Sequence, residues 1–219
     1  MGQTLVDILP LAIAIAASPF PIVPAIMLLF TARPRPTSLG FLAGWASGIL
    51  AVTVVVSLVA GVIEREATPT WASWTRVVLG VVLVGYGVLS WLRRAQATKA
   101  PGWMTSLEQA DPRRASTLGL LLSAANPKVA LLAAGAGVTV GAAGLSTAEA
   151  GAVVVAFTAI GAVSVALPVA LFLLLGDRML RPLGRARDWL LANHASVMAV
   201  VLVLIGLALT SNGIAEIAG

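Results

Sequence analysis

The chain has 219 residues, of which 59% are hydrophobic and 11% charged, with a mean hydropathy of +0.98 and a net charge of +5. A soluble domain carries about 25% charged residues, so this composition excludes most water-soluble enzymes and nucleic-acid binders. Cysteine is absent, which excludes disulfides, thiolate metal sites and thiol redox chemistry, and the single histidine, His194, cannot build a metal site alone.

The apolar runs predict an all-α integral membrane protein with six transmembrane helices, each long enough to cross about 30 Å of hydrocarbon. They fall at 5–30, 38–62, 74–92, 117–138, 147–175 and 189–210. The opening AIAIAAS resembles the apolar part of a signal peptide, but Asp7 replaces a basic leader and apolar sequence continues beyond it, so it is read as the first span.

That first span is interrupted. Pro19, Pro21 and Pro24 fall within six residues, and each removes a backbone donor and disfavours helix at the residue before it. In the second span, Gly40, Gly44 and Gly48 form a tandem GxxxG, read as a packing face inside the monomer in preference to a homodimer seam. The basic loop at 93–115 places Trp103, Met104 and Leu107 at helical spacing, which predicts a short piece on the membrane surface. The fourth span breaks at Asn126-Pro127. In the fifth, Ser164 and Pro168 predict a kink. DRMLRPLGRARDW, between spans five and six, reads as a second surface piece, and His194 as an interfacial histidine without a role.

The charges sort by side. Eleven of the fourteen basic residues fall between spans one and two, three and four, or five and six, against Arg65 and Arg76 opposite. The positive-inside rule therefore predicts a multi-pass protein of the cytoplasmic membrane with both termini outside.

Ala16-Ala17-Ser18-Pro19 aligns with Ala124-Ala125-Asn126-Pro127 at an offset of 108 residues. Three spans per half is an odd number, so the halves are predicted to be inverted repeats whose broken helices meet near the midplane. The expected organisation is one membrane domain over 1–219, with repeat A at 1–92, the basic loop at 93–115 and repeat B at 116–219. Ser18 and Asn126 are N-cap types followed by proline, so each break is expected to start a half-helix whose positive amino end faces the centre. Lys128 stands beside the second of these ends at a depth where a charged residue is a candidate site. With no carboxylate expected nearby, the arrangement predicts an anionic ligand or a deprotonated lysine. The alternative is a lysine that snorkels or braces freed carbonyls.

ASPFPIVPAIMLL and SAANPKVALL, together with the six spans and the basic central loop, resemble the GAP family, or sulfolipid-1-addressing protein family, of actinobacteria. That family lies within the lysine-exporter (LysE) superfamily. The resemblance implies export of an anionic lipid or glycolipid to the cell envelope, with Ser18, Pro19, Pro21, Pro24, Asn126, Pro127 and Lys128 as substrate-binding positions. It also implies a larger lipid exporter as a partner. Thiol-electron carriers of the superfamily place a cysteine where this chain has Ser18-Pro19-Phe20, and its metal exporters carry histidine-rich or acidic segments, which are missing here. The expected protein is a transporter and not an enzyme, with no cofactor, metal or nucleic acid, and with membrane lipids around it. A small-solute exporter of the amino-acid type and a non-transporting scaffold for a larger exporter stand as alternatives. No nucleotide motif is present, and proton coupling would have to use Lys128, the only titrating group at depth.

Overall fold

Prolines and Asx caps divide the apolar sequence into helices. The computed structural model describes residues 1–63, 70–92, 107 and 110–218, and among them every element is helical. In chain order these are α1 (Gly2–Ala16), α2 (Ile22–Leu28), α3 (Pro34–Ile63), α4 (Thr70–Leu92), α5 (Pro112–Ala124), α6 (Pro127–Ala142) and α7 (Thr147–Leu175). A 3-10 turn (Gly176–Met179) then leads into α8 (Leu180–Ala218). Arg65, Arg93, Arg94, Lys99, Trp103 and Met104 lie outside the described residues, as do the side chains of Trp71, Trp74, Arg76 and His194.

Two runs, Pro34–Val62 and Thr147–Asn193, are each long and apolar enough to cross a membrane. The pair α5 and α6 passes the same test as one span bent by 67°. These helices mark a membrane protein.

Local chemistry sets the boundaries. Asp111 caps α5 by accepting from the Arg114 amide at 2.8 Å, with Pro112 in the first helical position, where a missing N–H costs nothing. Ser146 and Glu149 form a reciprocal capping box at the start of α7. That helix continues through Pro168 as one element, so the expected kink site does not divide it. It ends at Gly176, whose φ of 62° is cheap only for glycine.

The chain gathers into two compact units, Met1–Glu64 with Ala100–Leu191, and Arg65–Lys99 with Ala192–Gly219. In the first, α3 is central: Thr37, Phe41, Trp45, Ile49 and Thr53 form a fully buried stripe at every fourth residue. The tandem glycines let α5 lie directly on α3. A Cβ at Gly40 would stand 2.5 Å from the Pro112 carbonyl oxygen, and at Gly44 or Gly48 it would overlap the Ser116 carbonyl oxygen or the Ser123 hydroxyl. Further along, Gly137 and Gly141 of α6 meet Thr53 and Ser57 of α3. The order of these contacts shows that α5 and α6 run in the same direction as α3. The GxxxG face is thus consumed inside the chain and gives no ground for a homodimer.

The other broken pair lies on α7. Gly161 meets Ile15 near the end of α1, and Phe172 packs with Ile26 and Leu29 at the end of α2, so α1 and α2 run with α7. The ends of α2 and α7 lie at the end where α3 begins, which makes α7 antiparallel to α3. Each broken pair therefore packs along a long helix from the other half of the sequence, and the two pairs run in opposite senses.

The segment expected to lie on the membrane surface between α7 and α8 packs on protein. Met179, Leu180 and Leu183 join Ile26, Leu29 and Phe172 in one cluster. Leu107, from the other expected surface piece, is also buried. In the second unit, α4 and the later part of α8 are antiparallel: Gly80 meets Gly206 and Thr210, while Gly87 meets Ala199 and Val203.

Candidate functional site

The two breaks differ in construction. At the second, α5 ends at Ala124 and α6 starts at Pro127. Asn126 is the N-cap, its side-chain oxygen accepting from the Lys128 amide at 3.0 Å, with Pro127 in the first helical position, as expected. At the first, the Ser18 amide bonds back to the Ile15 carbonyl at 3.1 Å, and the helix resumes only at Ile22. The N-cap of α2 is Pro21, with no side-chain cap, so Ser18 does not cap a half-helix. The proline spacing is responsible: Pro19 and Pro21 hold the chain in a turn before helical bonding restarts, with the Ala25 amide reaching the Pro21 carbonyl at 3.2 Å. Pro24 lies inside the first turn of α2, where its missing donor is tolerated.

Ser18, Pro19, Pro21 and Pro24 are all buried, whereas Asn126 and Lys128 are half-buried and Pro127 is exposed. Helix register brings the two breaks to one level. Gly135 of α6 meets Leu11 of α1, with a Cβ there 3.6 Å from the Leu11 side chain, and these helices are antiparallel. Seven residues back along α6 is Lys128, and seven forward along α1 is Ser18, each a descent of about 10 Å.

Lys128 Nζ is itself buried and has no hydrogen-bond partner. Among the described residues the carboxylates of Asp7, Asp111, Glu149, Asp177 and Asp188 are all exposed, so none is enclosed with it. A buried amino group beside the capped start of a 16-residue helix favours negative charge, since both present donors and positive potential. No group of three or more histidine, cysteine or acidic side chains is assembled among the described residues.

A second feature is basic. Arg33, Arg35, Arg113, Arg114, Arg178, Arg181, Arg185 and Arg187 all lie at the end of the first unit where α2 and α7 finish and α3 and α5 begin. Arg187 stacks over the Phe30 ring at 5.5 Å and pairs with Asp188 at 2.7 Å.

Comparison with known families decides the membership. The family model for Sap, sulfolipid-1-addressing protein, matches residues 8–215, nearly the whole chain. The chain belongs to this family. No curated protein and no solved structure matches it significantly. Both breaks and Lys128 lie within the stretch matched by the Sap family model.

Sequence reasoning passed over Trp45. The other five tryptophans stand near span ends, whereas Trp45 lies well inside an apolar run, fully buried and stacked on Phe41 at 6.5 Å. Its distance from both interfaces was the available signal.

Proposed function

We propose that the protein carries the headgroup of an anionic lipid or glycolipid across the cytoplasmic membrane towards the cell envelope. The observation that carries this reading is the buried, unpartnered Lys128 Nζ beside the Asn126-capped start of α6, level with the first break. Such a lysine is costly to keep inside a membrane unless a ligand compensates it. Membership of a family named for addressing a sulfolipid supports an anionic glycolipid as cargo.

The architecture proposed is six spans in two inverted repeats, with the breaks at the midplane. The opposite senses of the two broken pairs support it, as does the way each lies along the long helix of the other half. Rocking of one half against the other would expose the site alternately, while acyl chains stay in lipid. The eight arginines at one end support placing that end in the cytoplasm and both termini outside.

The test is a deletion strain complemented with wild type or Lys128→Met, comparing surface-extractable with total polar lipids. Lys128→Met is expected to leave an anionic glycolipid inside the cell, with normal protein levels. Full restoration by Lys128→Met would overturn the assigned role. If reversing the arginines at the basic end proves more damaging than Lys128→Met, a scaffold for a larger exporter becomes the better reading.

A further inference from the structure

Eight hydroxyls among the described residues are satisfied locally. Thr31, Ser38, Ser47, Thr53, Thr117, Ser123, Thr139 and Thr210 each donate to a carbonyl three or four residues back. Thr158 and Ser164 of α7 do not, although each is only 8% exposed and its hydroxyl is buried without a partner. A helical serine or threonine can bond to its own backbone almost without cost. A buried hydroxyl that forgoes this bond is oriented towards something else, and leaving it unpaired is expensive. The Trp45 indole N–H is buried and unpartnered as well.

The Thr37 hydroxyl, at the arginine-rich start of α3, is a further buried group without a partner, but the others lie near the level of the breaks. A Cβ at Gly161, on the face of α7 between Thr158 and Ser164, would stand 3.4 Å from Ile15 of α1 and 3.5 Å from Ile49 of α3. Three residues further along α7 is Ser164, and three further along the parallel α1 is Ser18. One turn back along the antiparallel α3 is Trp45. Ser164 and Trp45 thus stand within about a turn of Lys128 in height, and Thr158 lies about 9 Å further from the arginine-rich end.

We propose that Ser164, Trp45 and Thr158 are headgroup-binding residues: Ser164 and Trp45 complete a donor-lined site with Lys128, and Thr158 receives the headgroup on the side away from the arginines. The inference rests on the carrier reading for its cargo, but it assigns a half of the site on α7 and α3 that the break motifs do not contain. An indole and an ammonium only donate, and hydroxyls can donate, so the site selects a headgroup rich in acceptor oxygens, a sulfate or phosphate ester, over one bearing an amine.

The experiment uses the full chain purified in detergent, with thermal unfolding followed on adding sulfated galactosylceramide, phosphatidic acid or uncharged galactosylceramide. Wild type is expected to be stabilised by at least one anionic lipid and not by the uncharged one; the stronger of the two names the ester. Ser164→Ala should weaken the apparent affinity about tenfold, with a smaller loss for Thr158→Ala and for Trp45→Phe, which keeps the stack on Phe41. Without lipid, Ser164→Ala and Thr158→Ala should melt no lower than wild type, because each removes an unpaired buried hydroxyl. A merely structural role would give the opposite sign. Wild-type lipid response in Ser164→Ala and Thr158→Ala, or no response to either anionic lipid in wild type, overturns the proposal. Lipid binding that depends on Ser164, in a chain whose deletion leaves surface lipids unchanged, keeps this site and discards the carrier reading.

Discussion

The two breaks look alike in sequence, an alanine pair, a small polar residue and a proline, yet the fold resolves them differently. At Asn126-Pro127 one side chain caps a new helix at once, and the chain bends by 67° with hardly any residue outside helical structure. At Ser18-Pro19 the extra prolines delay the restart to Ile22, and the helix that follows has seven residues and no side-chain cap. The difference assigns the roles unequally. The second break has a well-formed positive helix end with a lysine beside it, while the first supplies a buried turn at the same level. The symmetric pair of side-chain-capped helix starts expected from the sequence is therefore not formed, and only the second break has one.

The supporting helices differ in the same way, and there the largest effect is expected. The second broken pair is clamped on α3 through glycine, where a Cβ at Gly44 would overlap the Ser116 carbonyl oxygen. The first pair meets α7 at ordinary contact distance, with a Cβ at Gly161 lying 3.4 Å from Ile15. Gly44→Ala should cost about 2–3 kcal/mol by overpacking, and Gly161→Ala less than about 0.5 kcal/mol, as read from thermal unfolding in detergent. Equal effects would show that the two pairs are held alike.

The caps give the next contrast. Asn126→Ala should cost about 1 kcal/mol, because the Lys128 amide loses its acceptor. Ser18→Ala, at a residue that caps nothing, should change stability by less than about 0.5 kcal/mol. Lipid delivery should fall in both variants, separating the stability role of Asn126 from the positional role of Ser18. A large stability loss for Ser18→Ala would restore the symmetric picture.

The smallest effect belongs to Pro127. It is exposed in the first helical position and stiffens the chain without making a hydrogen bond, so Pro127→Ala should cost a few tenths of a kcal/mol, about 0.4 at most, through the unfolded chain. A collapse of the bend in this variant, read by spin-label distances between α5 and α6, would show that proline and not the asparagine cap sets the break.

Much of this was legible beforehand because it is written in local chemistry. The fifth predicted span, 147–175, coincides with α7, since its boundaries are a Ser-x-x-Glu capping box and a glycine. Asn126-Pro127 announced a cap by residue type alone. The surface role expected for Met179, Leu180 and Leu183 was misread because a one-sided apolar face has the same pattern whether lipid or protein covers it. Ser18 was misread because capping preference does not account for prolines three and six residues further on, nor for where helical bonding can resume.

Composition and periodicity thus determined by themselves that this is a helical membrane protein, where α7 starts and stops, and that a lysine sits at a broken span. Those properties follow from backbone donors, side-chain caps and the transfer cost of apolar and charged groups, all of which act within a few residues. Tertiary structure alone decided which hydroxyls keep their local bond and which are turned inward, that Ser164 and Trp45 share the level of Lys128, and that both broken pairs are packed in opposite senses. Those relations join residues from different helices, Trp45 and Ser164 among them, and only the close approach of whole helices, permitted in part by glycine, can fix them.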